Sequence, residues 1–193
     1  MFKVVLFLAI IIIALPAEAQ NQTRKPTVKD FPGSEKSSVK HQITLYNPLV
    51  FPGVGSQKDW REANQLVSQA GKLHNEGKFE KSLILFDKAI KLYPHDPRYY
   101  NSKAFVYFAR QKKGDLESAI QLLRKAIEIK PNSCMYWDNL AKGLCEQGKY
   151  KESREALRTA LRFSPSGEKS KEIEGNIQRL NKSLGDVPST KNQ

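Results

Sequence analysis

The stretch CMYWDNLAKGLCEQGKYKESREALRTALRFSP, residues 134–165, determines the predicted fold. Counted from Cys134 as position 1, apolar residues stand at positions 4, 7, 8 and 11, and a glycine stands at position 15. A helix turns by about 100° per residue, so these four apolar positions share one face. Positions 20, 24 and 27 share a face of a second helix, which a proline follows. The stretch is predicted to form a helical hairpin.

The second half of this hairpin recurs twice earlier in the chain. The marker residues are Gly148, Ser153, Ala160 and Pro165, then Gly114, Ala119, Ala126 and Pro131, then Gly77, Ser82, Ala89 and Pro94. With Trp137 and Tyr150, the pattern resembles the tetratricopeptide repeat, a unit of about 34 residues with Trp, Leu-Gly, Tyr, Ala and Pro at fixed offsets. The resemblance implies an all-α fold, a right-handed superhelical array of helix-turn-helix repeats.

The resemblance also suggests a domain organisation. One hairpin cannot hide its apolar face, so three stacked hairpins and a cap are about the minimum for stability. We expect a repeat domain over residues 56–184, with repeats at about 63–96, 97–133 and 134–167 and a tail at 185–193. The capping helix, 168–184, has one apolar stripe, formed by Ile173, Ile177, Leu180 and Leu184. Ser56 with Asp59, and Asp96 before Pro97, are predicted to begin helices.

Repeats one and two depart from the pattern. Gln69 and Lys103 stand at position 7, where Leu is expected. Three additional residues lie between Phe108 and Lys113 in repeat two, and they are predicted to lengthen its first helix by about 4.5 Å. This extension would present Arg110, Lys112 and Lys113 at the helix end, either as a simple C-terminal cap or as a basic binding surface.

The N-terminus has the pattern of an export signal. Lys3 precedes an unbroken apolar run, residues 4–15, and small residues follow at Ala17 and Ala19. These features predict a cleaved signal peptide over residues 1–19, cut after Ala19, and a periplasmic or secreted protein. A retained membrane anchor is the alternative, but 12 helical residues reach about 18 Å, short of a hydrocarbon core of about 30 Å.

The chain is basic, with 32 Lys and Arg against 20 Asp and Glu and a net charge of +12. Such an excess favours weak attraction to anionic surfaces, including lipid headgroups and polyanionic glycans. We expect no nucleic-acid partner for an exported chain. The oligomeric state is open.

Residues 20–55 are polar and contain four prolines, which predicts a disordered spacer. Within it, residues 43–51 have the apolar sequence ITLYNPLVF. Two interpretations remain: the segment lies along the array or docks to a partner, or it is an ordinary linker with isolated apolar residues.

The two cysteines fall on one predicted helix. Cys134 and Cys145 are 11 residues apart, about 16 Å along a helix, whereas a disulfide requires Cα atoms within about 7 Å. We therefore expect no bond between them. Partial burial and an intermolecular bridge are the two remaining alternatives.

In the family that the chain resembles, the first helices of successive repeats line a concave groove that holds a peptide or a segment of another protein. Helical geometry assigns positions 2, 5, 6, 9 and 13 to this groove. Its amides can bind an extended backbone, and Phe105 can anchor a side chain or instead pack against repeat three. The candidate groove residues are Asn64, Arg98, Asn101, Ser102, Phe105, Asp138, Asn139 and Lys142.

Other functions find less support. Chaperone-binding members of the family grip a C-terminal carboxylate with Lys, Asn and Arg, but the matching positions here are Val67, Gly71, Ser102, Met135 and Asn139. The histidines, His41, His74 and His95, form no catalytic or metal-binding pattern with other residues. We expect a non-enzymatic interaction scaffold or adaptor without a cofactor or metal.

Overall fold

The structure, a computed structural model, describes residues 55–164 and 166–185, which form seven helices and no strand. The predicted signal peptide, most of the spacer with residues 43–51, and the tail after Gly185 lie outside the described residues. The helices are α1 (Gln57–Asn75), α2 (Phe79–Leu92), α3 (Pro97–Arg110), α4 (Asp115–Ile129), α5 (Cys134–Glu146), α6 (Tyr150–Arg162) and α7 (Glu168–Leu184).

The helices stack as consecutive hairpins. The main packing partners are α1 with α2, α3 with α4, and α5 with α6, and each second helix also packs against the first helix of the next hairpin. The final helix, α7, packs against α6. One core runs through the second and third hairpins and α7, and two smaller clusters hold the first hairpin. The predicted all-α repeat array is confirmed.

Side chains begin two of the first helices as predicted. Ser56 Oγ accepts a hydrogen bond from Asp59 N at 3.3 Å, and Asp96 Oδ1 accepts one from Arg98 N at 3.0 Å. Each side chain satisfies one of the amide groups that a helix start leaves without an intrahelical partner. Pro97 occupies the first turn of α3, where its missing N–H is not needed.

The turns of hairpins one and three close in the same way around a glycine. Gly77 and Gly148 have φ values of +72° and +80°, a left-handed conformation that glycine adopts without strain. In both turns the next residue, Lys78 or Lys149, donates its amide five residues back, at 2.8 Å and 2.9 Å. This glycine-centred cap ends the first helix and starts the second within a few residues.

Hydrogen bonds repeat within and between the hairpins. Ser82 Oγ donates to the carbonyl of Ala70 at 2.8 Å, and Ser153 Oγ donates to that of Ala141 at 2.7 Å, both in the interior. Two further bonds join successive repeats: Tyr100 Oη to Pro94 O at 3.0 Å and Trp137 Nε1 to Pro131 O at 2.7 Å. The marker residues thus carry polar bonds as well as apolar packing.

The predicted lengthening of the first helix in repeat two is wrong. Helix α3 has 14 residues and α5 has 13, so the insertion adds about one helical residue and otherwise forms a loop after Arg110. Gln111 ends α3 in the left-handed conformation at φ 55°. The buried carboxylate of Asp115 accepts from Lys112 N at 2.8 Å and from Arg110 Nη2 at 2.6 Å, which turns the chain back.

The predicted basic surface at this loop is partly neutralised. Arg110 pairs with Asp115 and lies 3.8 Å from Glu80 on α2, and Lys112 also pairs with Glu80. The hydrogen bonds from Arg110 outweigh burial and hold the pKa of Asp115 below its usual value. Lys113 is exposed. The insertion therefore links repeats one and two through ion pairs.

The two departures at position 7 have a structural explanation. The regular residue, Leu140, is buried, but Gln69 is exposed and Lys103 is half-buried. Lys103 pairs with Asp87 on α2, which shows that this position faces the second helix of the preceding hairpin. Among the described residues no hairpin precedes the first, so a polar Gln69 is tolerated there.

The predicted capping helix is present. Ile173 and Leu180 are fully buried, and Ile177 and Leu184 are half-buried, so the apolar stripe covers the third hairpin. Cys134 is half-buried and Cys145 is buried, and no disulfide joins the two. Within the described part of the chain, no helix has the length and hydropathy required to cross a membrane.

Candidate functional site

The candidate groove residues all lie on the first helices α1, α3 and α5. At position 2 of the first two repeats, Asn64 and Arg98 are half-buried. Asn64 Nδ2 donates to its own helix at Trp60 O, 2.9 Å away, and Arg98 forms an ion pair with Asp96. The corresponding residue of α5, Met135, is 49% exposed, which places one large apolar side chain on this surface.

Two buried amides join α3 to α5 at the centre of the set. Asn139 Nδ2 donates to Asn101 Oδ1 at 2.9 Å across 38 residues of sequence, and both residues are less than a tenth exposed. Ser102, beside them on α3, is also buried. A side-chain amide has an NH₂ donor and a carbonyl acceptor, and this bond uses the donor of Asn139 and the acceptor of Asn101. Within the described residues no further hydrogen bond involves Asn101 Nδ2 or Asn139 Oδ1.

Asp138 connects α5 to the capping helix. Its Oδ2 forms ion pairs with Lys169 Nζ at 2.8 Å and with Lys142 Nζ at 3.0 Å. The Asp138 side chain is almost fully buried. Its Oδ1 has no hydrogen-bond partner within the described residues. Burial alone would lower the pKa of Lys169, but its bonds to Asp138 and Glu172 outweigh this effect and raise it. The ion pairs with Lys169 and Lys142 thus offset the charge of the buried carboxylate.

The sequence reasoning did not identify Lys169 as part of this site. Lys169 lies on α7, in a different part of the sequence from Asp138, and no spacing rule joins a cap residue to a groove residue. A lysine in the first turn of the cap, where an acidic residue is favoured, was the only available signal.

The aromatic residues of α3 divide into two roles. Phe105 is half-buried, and its ring centroid lies 6.3 Å from that of Phe108 in an edge arrangement. Phe108 packs against repeat three: a Cβ at Gly143 on α5 would lie only 3.1 Å from its Cζ. Packing against repeat three was one of the two roles predicted from the sequence for Phe105. The signal in the sequence was Gly143, because a glycine inside a helix can mark a place where another side chain packs closely against the backbone.

The described residues contain no group of three or more His, Cys, Asp or Glu side chains able to hold a metal ion. His74 lies in the last turn of α1 and His95 in the exposed loop before α3, and His41 is outside the described residues. The polar groups that the structure brings together are amides and paired ions, which are suited to binding by hydrogen bonds and contacts.

Comparisons with known proteins agree with this architecture. Residues 97–133 match the family model described as tetratricopeptide repeat. A curated relative, small glutamine-rich tetratricopeptide repeat-containing protein 2 from Mycosarcoma maydis, is 27% identical over 113 residues, covering 58% of this chain and 31% of the relative. The chain matches about a third or less of the length of the curated relatives.

Solved structures share the fold at low sequence identity. The first repeat domain of Spaghetti (RPAP3), bound to the HSP90 peptide SRMEEVD, has a TM-score of 0.57 and 15% identity, covering 65% of this chain and 94% of that one. The type III secretion chaperone SycD of Yersinia enterocolitica, in complex with a peptide of the translocator YopD, has a TM-score of 0.58 and 18% identity, covering 70% and 99%.

The repeated hairpins, the glycine-centred turns and the family match lead to one conclusion. This chain is a helical repeat protein with about three repeats, one of which, residues 97–133, matches the tetratricopeptide repeat model.

Proposed function

We propose that this protein is a non-enzymatic scaffold or adaptor that binds an extended segment of a partner protein against the first helices α1, α3 and α5. The fold supports this proposal, since two structures with the same architecture hold peptides: an HSP90 peptide in one and a translocator peptide in the other. The observation that carries it is the Asn101–Asn139 bond, which sets two side-chain amides at the same depth on neighbouring repeats.

The chemistry of these amides fits a peptide backbone. An extended backbone presents an N–H and a C=O at each residue, and both need partners when they leave water. Asn101 Nδ2 is a donor and Asn139 Oδ1 is an acceptor, so the pair can serve one residue of a bound segment. The Asn101–Asn139 bond restricts both side chains, which lowers the entropy lost on binding.

The surrounding side chains set the character of the partner segment. Half-buried Phe105 and exposed Met135, each one helical turn from an amide of the pair, offer apolar contacts. Arg98 and Asp138 are already paired with oppositely charged side chains. The surface therefore favours a segment of small polar and apolar residues over a strongly charged one.

The proposal is tested by photo-crosslinking in the native host. A photoreactive residue replaces Phe105 in one strain and Lys88, exposed on α2, in another, and trapped proteins are identified by mass spectrometry. We expect a discrete partner from position 105 that is absent from position 88, and its yield should fall in an Asn139→Ala background. Equal trapping at both positions, or trapping at position 88 only, would overturn the proposal.

The net charge of +12 favours a second function, attraction to anionic lipid headgroups or glycans. Several cations of α3 and the following loop are held in ion pairs, which lowers their availability. Sedimentation with vesicles containing anionic lipid separates the two functions, because surface attraction falls steeply as salt is raised and groove binding persists.

We further propose that the protein is exported, which the residue pattern of positions 1–19 supports. Cell fractionation and N-terminal sequencing of the purified protein test this. A mature chain that starts at Gln20 in the exported fraction is the expected result. A chain that keeps residues 1–19 in the cytoplasm would contradict it.

A further inference from the structure

The described part of the chain begins close to the proposed binding surface. Gly55 lies against the loop between α2 and α3: a Cβ built on it would lie 3.2 Å from Tyr93 Cε2 and 4.0 Å from His95 Cδ2. Arg98 and the other early residues of α3 follow this loop directly. The described part of the chain therefore starts at the end of the array where α3 begins.

The preceding chain is long enough to cross the binding surface. Packed helices lie about 8–10 Å apart, so α1, α3 and α5 cover about 20 Å from the first axis to the third. Nine extended residues, as in residues 43–51, reach about 30 Å. The four steps from Phe51 to Gly55 add about 13 Å, enough to pass from the loop to the surface.

The chemistry of residues 43–51 also matches the surface. The sequence ITLYNPLVF has no charged side chain and six apolar ones, and Pro48 favours an extended backbone around it. The surface offers an exposed Met135 and the Asn101–Asn139 pair, and the charged candidate residues Arg98, Asp138 and Lys142 are held in ion pairs. A segment without charged side chains is therefore compatible with this surface.

We propose that residues 43–51 of the same chain bind across α1, α3 and α5 and compete with the partner segment. This rests on the proposed function, because it assigns a regulatory ligand to the same surface. Because the segment is tethered, its effective concentration at the surface is high. A partner can bind only to the molecules in which the segment is released, so its apparent affinity falls in proportion to that fraction. Release of the segment then raises partner binding without a new contact.

Photo-crosslinking in the full chain tests this proposal. A photoreactive residue replaces Leu49, with replacement of Val28 as the matched control, and crosslinked peptides are mapped by mass spectrometry in an equal mixture of ¹⁴N- and ¹⁵N-labelled chains. We expect intrachain links from position 49 to peptides of α3 and α5, at a yield several-fold above position 28. Links to α2, α4 or α6 only, links between differently labelled chains, or no links would overturn it.

Hydrogen exchange gives a second, independent measurement. In the full chain, Leu45→Asp combined with Leu49→Asp should increase deuterium uptake several-fold in peptides of α3 and α5, while uptake in α4 and α6 stays unchanged. Equal uptake in wild type and variant would overturn self-occupation. That result would leave the proposed function standing, because partner capture through position 105 tests it separately.

Discussion

Ser153 makes a buried side-chain bond at a position that differs between repeats. Its hydroxyl donates to the carbonyl of Ala141, and Ser82 makes the equivalent bond in repeat one, but Ala119 occupies this position in repeat two. Ser153→Ala leaves a buried carbonyl without this partner, so we expect a loss of about 1–2 kcal/mol in the free energy of unfolding. Urea denaturation followed by circular dichroism measures it.

The same substitution at an exposed helix position provides the control. Ser183 bonds to Arg179 O at 2.9 Å on the surface of α7, where water can replace it. Ser183→Ala should change stability by less than about 0.5 kcal/mol. An equal effect of the two substitutions would contradict the role assigned to the buried bond.

His74 makes the stability of the first hairpin depend on pH. Its ring lies beside Phe79, its Nδ1 is buried with no hydrogen-bond partner in the described residues, and burial lowers its pKa below 6.5. Between the lowered folded value and 6.5, the unfolded chain binds more protons than the folded one. The free energy of unfolding therefore rises with pH through this window, and the contribution is lost at lower pH.

Replacement of His74 isolates this contribution. His74→Phe keeps an apolar ring beside Phe79 and removes the titrating group, so the variant should show a smaller increase in stability from pH 5 to pH 7 than wild type. Urea midpoints measured at several pH values check this. An unchanged pH slope in the variant would assign the dependence to other groups.

At the scale of elements, α7 stabilises the array by covering the third hairpin. Leu180 is fully buried and belongs to the core shared with α5 and α6. Leu180→Ala should cost about 3 kcal/mol through lost burial and the remaining cavity, and should increase hydrogen exchange first in α7. Leu184→Ala, at a half-buried position of the same helix, should cost less than about 1 kcal/mol. Equal losses would show that α7 is not a specific cap.

Helix boundaries show where sequence reasoning succeeded and where it failed. Ser56 and Asp96 were predicted correctly as caps, because capping depends on neighbours within three residues. The loop after Arg110 was mispredicted, because its course depends on the buried Asp115 carboxylate and on Glu80, which lies 30 residues earlier. Local pattern thus determines a helix start better than it determines an inserted loop.

At the scale of the whole molecule, the repeat phase predicted most of the core. Ala70, Ala104 and Ala141 occupy position 8 of their repeats. All three are buried, because the repeated spacing places them at equivalent helix contacts. The same phase placed Asn101 and Asn139 on one surface, but their mutual bond and the Lys169–Asp138 pair join residues of different helices, 38 and 31 positions apart. Such contacts depend on how the hairpins pack, which spacing within one helix does not determine.

The Asn101–Asn139 surface is proposed to bind a partner segment by hydrogen bonds and apolar contacts. The most direct measurement is calorimetric titration of a peptide from the trapped partner into wild type and into Asn101→Ala with Asn139→Ala, at about 0.1 and 0.5 M salt, after thermal unfolding confirms that both proteins are folded. We expect binding to be at least about tenfold weaker in the variant and to change little with salt. Unchanged affinity in the variant, with a steep loss of binding at high salt, would contradict it.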